Sequence, residues 1–305
     1  MSSFVNLLKK QKTLLLALLV MLLWGSLFPM VKLGFSAFSV VTTGDILFFA
    51  GLRFVICGAV ITAYAFARDK KSFAPTRSVW LPLMLSGLFA IVLHYACTYT
   101  GLSLTASGKT AILKQVGALL YVLASPLFFK SDKLTVAKIV GAFLGFFGVI
   151  AMNWSEGGVH FGLGEILILL ASVCTVASNV ISKRLFEKMS PITATGVSQL
   201  FGGVVLLLVG ILMGGGVKMT GIGAIPIFIY ILVASIVSYC LWYTIVKGSS
   251  LSSLFVIKFA EPLFSCILGA MILGENIWDV RYLIAFLLIG LGITVAQGIK
   301  LSKKH

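Results

Sequence analysis

The sequence predicts an all-α membrane protein in which ten transmembrane helices form two inverted five-helix repeats. Three observations support this: the composition, the length of the apolar segments, and polar residues that recur at a constant spacing. Of the 305 residues, 59% are hydrophobic and 11% are charged, whereas a soluble protein of this length needs more polar residues to cover its surface. The apolar residues also form unbroken runs, unlike the alternating strands of a membrane barrel.

Each predicted helix is an apolar segment close to the roughly 20 residues that cross the hydrocarbon core of a bilayer. In chain order the segments cover residues 13–33, 45–66, 79–101, 105–129, 135–153, 161–182, 191–213, 223–246, 252–273 and 277–299. Short connections join them, and some of these are rich in glycine. The prolines in the first and ninth segments, Pro29 and Pro262, are expected to interrupt their helices.

The basic residues predict how the chain is oriented. Most of the 24 lysines and arginines fall in loops on the same side as the N-terminus, and cytoplasmic loops carry such an excess. An even number of spans returns the C-terminus to that side. The sequence therefore predicts a multi-pass protein of the cytoplasmic (plasma) membrane with both termini in the cytoplasm. Because this placement accounts for the net charge of +15, no nucleic-acid partner is expected.

Two tyrosine pairs and one lysine recur at a constant offset. Each has its counterpart 144 positions later: Tyr95 and Tyr239, Tyr99 and Tyr243, Lys114 and Lys258. A lysine inside a membrane span is energetically costly, so its recurrence indicates an internal repeat with a shared polar site. The predicted repeats cover residues 1–153 and 154–305 within one membrane-embedded unit. Because each repeat has five spans, the second enters the membrane inverted.

Short motifs in both halves resemble the EamA-type drug/metabolite transporters. They are Trp24-Gly25-Ser26 with Phe28-Pro29, Tyr99-Thr100-Gly101-Leu102, Leu241-Trp242-Tyr243, Ala260-Glu261-Pro262-Leu263-Phe264 and Leu273-Gly274-Glu275. The resemblance spans nearly the whole chain. It implies secondary active transport by alternating access, with a central cavity lined mainly by helices 1, 3, 4, 6, 8 and 9.

Lysine at positions 114 and 258 departs from that pattern, in which these positions are usually uncharged. Residues 256–262 are similar to the lysine-containing helix of the plastid triose-phosphate translocators. In that branch of the superfamily, basic residues on helices 4 and 9 hold the phosphate of the substrate. Those translocators carry a second basic residue at a position where this sequence has Phe259 or Gln115. This second resemblance implies a substrate with an anionic group.

The two lysines differ in their local partners. Lys114 has no acidic residue three or four positions away, so its ammonium group needs a carbonyl, water or a partner on another helix. Substrate binding and a structural pair with Glu261 are the alternatives. Lys258 has Glu261 three residues further on, a spacing that allows an ion pair within one helix. Anion binding and a self-neutralised pair therefore both remain open for Lys258.

Aromatic residues and one histidine complete the predicted substrate site. Tyrosines four residues apart share one helix face and suit a cavity that is half apolar and half wet, although tyrosine also anchors helix ends at the interface. The predicted site residues are Trp24, His94, Tyr95, Tyr99, Lys114, Gln115, Tyr239, Trp242, Tyr243 and Lys258. His94 is expected either to relay protons or to be held by a neighbouring helix. Arg53 is typical of the EamA resemblance and is interpreted as structural.

The sequence predicts a transporter and not an enzyme. It has no catalytic motif, and its five cysteines occur singly without metal-site spacing, so neither cofactor nor metal is expected. The predicted partners are the lipid bilayer and a small polar metabolite, such as an amino acid, an organic acid or a phosphorylated metabolite. Monomer and homodimer both remain open. The alternatives are an exporter of cationic or neutral solutes with both lysines structural, and a flippase-like or enzymatic membrane component.

Overall fold

The computed structural model describes residues 2–68, 70, 77–104, 107–152, 162–274 and 277–297, and within these ranges it contains helices but no strands. The helices are α1 Ser2–Ala37, α2 Thr43–Arg68, α3 Arg77–Gly87, α4 His94–Leu104, α5 Ser107–Phe128, α6 Val136–Met152, α7 Leu163–Leu185, α8 Pro191–Leu212, α9 Ala224–Gly248, α10 Leu251–Ile257, α11 Ala260–Leu273 and α12 Val280–Gln297. A π-helical segment, Leu88–Leu93, joins α3 to α4.

The helices match the ten predicted apolar segments, of which residues 105–106, 153, 161 and 298–299 lie outside the described part of the chain. In the part of the chain that the structure describes, eight helical stretches are long and apolar enough to cross a membrane. Two shorter apolar helices cover 113–128 and 136–151. The prediction of an all-α, multi-pass membrane protein is therefore confirmed.

The third and ninth spans each consist of two helices. In the third, the π-helical segment leads directly into His94 and Tyr95 at the start of α4, and such segments often occur at functional sites. In the ninth, α10 ends and α11 begins at Lys258 and Phe259. Pro262 lies in the first turn of α11, where a missing N–H group costs little because those groups have no partner within the helix.

The expected interruption at Pro29 is wrong. Helix α1 continues from Ser2 to Ala37 with Pro29 inside it. A membrane helix tolerates an internal proline when neighbouring groups satisfy the backbone atoms that the proline frees. The proline that coincides with a break is therefore the one at the junction of α10 and α11.

Glycine allows two helix pairs to pack closely. Helix α2 packs along α8, and α6 packs along α12. A Cβ atom placed on Gly58 of α2 would lie 2.3 Å from the backbone nitrogen of Leu200 in α8. A Cβ atom on Gly141 of α6 would lie 2.5 Å from the carbonyl oxygen of Gly292 in α12. Small residues let membrane helices approach in this way.

A buried carboxylate joins two of the connections between helices. Asp132, between α5 and α6, accepts hydrogen bonds from the hydroxyl groups of Ser250 and Ser252. It also accepts from the backbone N–H of Ser252 and from Lys138 Nζ, each at 2.9 Å. Burial works against ionisation of Asp132, but these hydrogen bonds outweigh it and hold its pKa below the usual value. The carboxylate thus ties the α5–α6 connection to the start of α10.

Candidate functional site

The centre of the molecule contains a group of aromatic side chains that we call the central aromatic cluster. Its members come from α1, α4 and α9: Trp24, Tyr95, Tyr99, Tyr239, Trp242 and Tyr243. Helix α1 packs against α9 and α11, while α4 and α5 pack against α7. These contacts bring aromatic residues that are far apart in the sequence to one place between the helices.

Two tyrosines of the cluster meet through their hydroxyl groups. The Tyr95 and Tyr239 oxygens are 3.2 Å apart, so one hydroxyl donates a hydrogen bond to the other. From this point the rings continue in both directions as a column. The ring centroids are 5.4 Å apart for Tyr95 and Tyr99, 6.2 Å for Tyr99 and Phe35, 6.2 Å for Tyr239 and Tyr243, and 5.5 Å for Tyr243 and Phe186. All four predicted tyrosines therefore belong to one continuous structure.

The two predicted tryptophans lie beside this column. The Trp24 ring is 5.6 Å from the Tyr239 ring and 5.2 Å from the Trp242 ring. Trp242 is buried, and its indole Nε1 donates a hydrogen bond of 2.8 Å to Asn179 Oδ1 on α7. Asn179 is also buried, and its Nδ2 donates to the carbonyl oxygen of Thr175. Asn179, which our sequence analysis overlooked, therefore positions the predicted Trp242.

Lys258 contacts the cluster from the junction of α10 and α11. Its Nζ lies 4.8 Å from the centre of the Trp24 ring and 5.4 Å from that of Trp242. Glu261 Oε2 is 3.9 Å away, and both side chains are largely buried, with 14% and 11% of their surfaces exposed. The ion pair allowed by the three-residue spacing is thus present, at a long distance.

Lys114 has a different environment. Its Nζ lies 5.0 Å from the centre of the Phe28 ring on α1. Among the described residues no acid lies within 4.0 Å of this ammonium group, so the predicted alternative of a pair with Glu261 is not formed. The backbone carbonyl of Lys114 accepts a hydrogen bond of 3.1 Å from Ser172, which holds α5 against α7. The neighbouring Gln115 is buried, and its Oε1 has no hydrogen-bond partner in the described part of the chain.

His94 is held by α7. Its Nδ1 is 3.1 Å from the carbonyl oxygen of Ala171 and 3.0 Å from Thr175 Oγ1. The imidazole also meets the Tyr95 ring edge to face at 5.1 Å. These contacts match the second expectation for His94, a residue satisfied by a neighbouring helix, and they fix the position of Tyr95 beside it.

Arg53 lies closer to the site than the sequence indicated. Its Nε donates a hydrogen bond of 2.8 Å to Ser235 Oγ on α9. Its guanidinium carbon is 4.8 Å from the centre of the Phe54 ring and 6.0 Å from that of Tyr95. The signal available in the sequence was a buried cation in the middle of an apolar segment, which is expensive and commonly marks a functional site.

The charges around the cluster do not balance. Arg53 and Lys258 lie inside two of the membrane-length helical stretches, Lys114 lies at the start of the shorter apolar helix 113–128, and Glu261 shares a stretch with Lys258. Lys258 and Lys114 both contact rings of α1, at Trp24 and Phe28, which are about one helical turn apart. In a region of low dielectric constant, such an excess of positive charge favours an anion.

Comparisons with known proteins agree with this architecture. The sequence pattern of the EamA-like transporter family matches residues 11–154 and again residues 162–296. An uncharacterized transporter of Archaeoglobus fulgidus is 25% identical over 273 residues, which cover 87% of this chain and 90% of that protein. The uncharacterized transporter YvbV of Bacillus subtilis is 24% identical over 276 residues, covering 88% of this chain and 86% of that protein.

More distant similarities extend to plants and to a solved structure. A chloroplastic WAT1-related protein of Arabidopsis thaliana is 24% identical over 242 residues, covering 75% of this chain and 57% of that protein. A crystal structure with 23% sequence identity has a TM-score of 0.78 and covers 94% of this chain and 96% of its own. At this identity the match supports the fold alone.

Proposed function

Because the chain belongs to the EamA-like transporter family, we propose that it is a secondary active transporter of a small polar metabolite with a carboxylate or phosphate group. An amino acid, an organic acid or a phosphorylated metabolite has this chemistry. Transport would occur across the cytoplasmic membrane by alternating access, with both termini in the cytoplasm. The excess of basic residues in the loops on the N-terminal side supports this orientation.

The proposed mechanism requires two inverted five-helix repeats, residues 1–153 and 154–305. Three observations support this arrangement. The family pattern matches the chain twice, once in each half. The second helix of each proposed repeat packs against its counterpart, as does the fifth, in the pairs α2–α8 and α6–α12. The hydrogen-bonded Tyr95 and Tyr239 are 144 residues apart and meet at the centre, as equivalent residues near a pseudo-two-fold axis would.

The central aromatic cluster is the proposed substrate site. Its rings offer apolar faces, and the hydroxyl groups of Tyr95 and Tyr239 offer hydrogen bonds to the body of a polar metabolite. In this structure those two hydroxyl groups bond to each other across the centre. A substrate that separates α4 from α9 would exchange this contact for its own hydrogen bonds. The rearrangement needed for alternating access would then begin at the bound molecule.

The observation that supports an anionic substrate is the ammonium group of Lys114. It is half-buried within a membrane span, next to the Phe28 ring, and no described acid pairs with it. An ammonium group within the membrane is energetically costly unless it interacts with a group of opposite charge. Lys258 adds a second positive charge that Glu261 balances in part. We infer that Lys114 holds the carboxylate or phosphate and that Lys258 strengthens the field around it.

A cationic or neutral substrate is the second candidate, and one observation favours it. Lys258 is already engaged by Glu261 and by the rings of Trp24 and Trp242, as expected of a structural lysine. If Lys114 were also structural, no positive charge at the site would require an anionic substrate. The two candidates therefore differ in whether Lys114 contributes to binding.

Replacement of Lys114 distinguishes these candidates. Labelled carboxylates and phosphates are first tested for uptake by proteoliposomes that contain the protein. A compound that is taken up serves as the ligand for the binding measurements. Calorimetry with purified protein then measures its affinity. Lys114→Gln should weaken binding by about 1.5–3 kcal/mol, the range for a hydrogen bond to a charged group. Lys114→Arg should retain part of the affinity, because it keeps the charge but changes the geometry.

The matched control is Lys218→Gln. It removes the same charge from an exposed position in the α8–α9 connection, so it should leave the affinity unchanged. Equal affinity of the wild type and a correctly folded Lys114→Gln protein would discard the anionic substrate and promote the second candidate.

A further inference from the structure

Three aromatic rings surround the ammonium group of Lys258. Besides the rings of Trp24 at 4.8 Å and Trp242 at 5.4 Å, the ring of Phe255 lies 5.9 Å from Nζ. We call these three rings the aromatic box. A cation within about 6 Å of a ring centre is attracted to the ring face, and tryptophan gives the strongest attraction. Glu261 places a carboxylate oxygen 3.9 Å from the same nitrogen.

Aromatic rings around a cation, with a carboxylate nearby, form the arrangement that recognises quaternary ammonium compounds and other organic cations. In this protein the ammonium group of Lys258 occupies the position that such a cation would take. We propose that Lys258 acts as a tethered cation that occupies the aromatic box and thereby excludes organic cations from the substrate site. This inference rests on the proposed function, because it takes the central aromatic cluster as the substrate site.

The aromatic box is held together by contacts that do not involve the lysine. Trp242 is fixed by its hydrogen bond to Asn179 and by the Trp24 ring at 5.2 Å. Phe255 is fully buried and stacks on Tyr121 with a centroid distance of 4.5 Å. We therefore expect the rings to keep their positions when Lys258 is replaced by a shorter residue. The replacement would leave a space between the rings where the ammonium group had been.

Lys114 offers a natural comparison. Its Nζ contacts the Phe28 ring at 5.0 Å, and Phe28 lies about one turn of α1 from Trp24, which Lys258 contacts. The two lysines thus contribute positive charge to the same region, but only Lys258 contacts the aromatic box. If repulsion by positive charge in general excluded cations, removing either lysine would have the same effect.

Binding of tetramethylammonium to purified protein tests the proposal, with quenching of tryptophan fluorescence and calorimetry as readouts. Lys258→Ala should bind this cation at least about tenfold more tightly than the wild type. The uncharged analogue tert-butanol should show no such gain. Adding Trp24→Leu to Lys258→Ala should abolish most of the gain, because one wall of the aromatic box is lost. Lys114→Ala should remain close to the wild type.

Because Lys258→Ala leaves Glu261 without its partner, the double variant Lys258→Ala/Glu261→Gln provides a second test. It removes both charges and keeps the rings, so it should still bind tetramethylammonium more tightly than Glu261→Gln alone. The proposal is overturned if neither Lys258→Ala nor Lys258→Ala/Glu261→Gln, as monodisperse protein, gains affinity for the cation. An equal gain in Lys114→Ala would also overturn it.

The two proposals can fail separately. If Lys258→Ala gains affinity for tetramethylammonium while Lys114→Gln keeps full affinity for anions, the proposal of an anionic substrate is wrong and the proposed role of Lys258 is supported. If Lys114→Gln loses anion affinity while Lys258→Ala gains nothing, only the role of Lys258 is overturned.

Discussion

Replacing Asp132 with alanine should lower the free energy of unfolding by about 3 kcal/mol, because it removes one member of a buried ion pair. The Asp132 carboxylate is almost completely buried, and Lys138 Nζ, its partner at 2.9 Å, has a side chain that is 12% exposed. Removing one partner of a buried pair typically costs about 3–5 kcal/mol, since the other charge stays buried without compensation.

The structure places the cost at the lower end of that range. In Asp132→Ala the hydroxyl groups of Ser250 and Ser252, which are 3.0 Å apart, can still bond to each other. Lys138 Nζ can still donate to the carbonyl oxygen of Lys133 at 2.8 Å. What remains without a partner is the backbone N–H of Ser252 and part of the lysine charge.

The assay is reversible unfolding in mixed micelles as the fraction of denaturing detergent is raised, followed by circular dichroism. The matched control is Asp279→Asn, which removes the charge but keeps an oxygen that accepts the hydrogen bond from the backbone N–H of Arg281 at the start of α12. Asp279 and Arg281 form a shorter ion pair, at 2.7 Å, but their side chains are 37% and 46% exposed, so solvent screens the interaction. The control should therefore differ little from the wild type. Equal destabilisation of the two variants would refute the argument that burial, and not distance, determines the contribution.

Two further predictions concern acid stability and helix packing. Because the pKa of Asp132 is held below its usual value, its stabilisation is complete above about pH 4, the unfolded value, and is lost as pH falls through the lower folded value. Asp132→Asn should therefore show a flatter loss of stability in acid than the wild type, and identical acid profiles would contradict this. Gly58→Ala should destabilise the protein by about 1–3 kcal/mol in the detergent assay, because its Cβ would meet the backbone of Leu200. Gly290→Ala, with no described atom within 4 Å of a new Cβ, should be neutral or stabilising by up to about 1 kcal/mol; equal losses in both glycine variants would show that helix packing is not the cause.

The positions of the spans could be predicted from the sequence to within a few residues, because each span satisfies its own backbone hydrogen bonds and needs a fixed apolar length. The eighth segment, predicted as 223–246, is α9 Ala224–Gly248. The first, predicted as 13–33, lies within the longer α1 Ser2–Ala37. Hydropathy identifies the apolar part of a helix that lies in the lipid, whereas the helix can extend beyond that part at both ends.

The sequence proposed which residues form the candidate site, and their role in binding stays a prediction; their arrangement could not be predicted. The tyrosines and tryptophans do come together, as their spacing and the family resemblance indicated. Arg53 was assigned to structure alone, yet its guanidinium lies over the Tyr95 ring. Asn179, which fixes Trp242, was not identified at all. Both residues act across helices, and contacts of that kind leave no periodic pattern in a single segment.

The sequence by itself determined that this chain is helical, spans a membrane many times and carries basic residues within apolar segments, because hydrophobicity, length and formal charge are properties of each segment alone. Only the tertiary structure decided that Lys258 fills an aromatic box while Lys114 does not, and that His94 bonds to α7. Those outcomes depend on how each helix is rotated about its axis and where α10 gives way to α11. Rotation and breaks are set by packing between helices, where small residues such as Gly58 and Gly141 determine how closely two backbones approach.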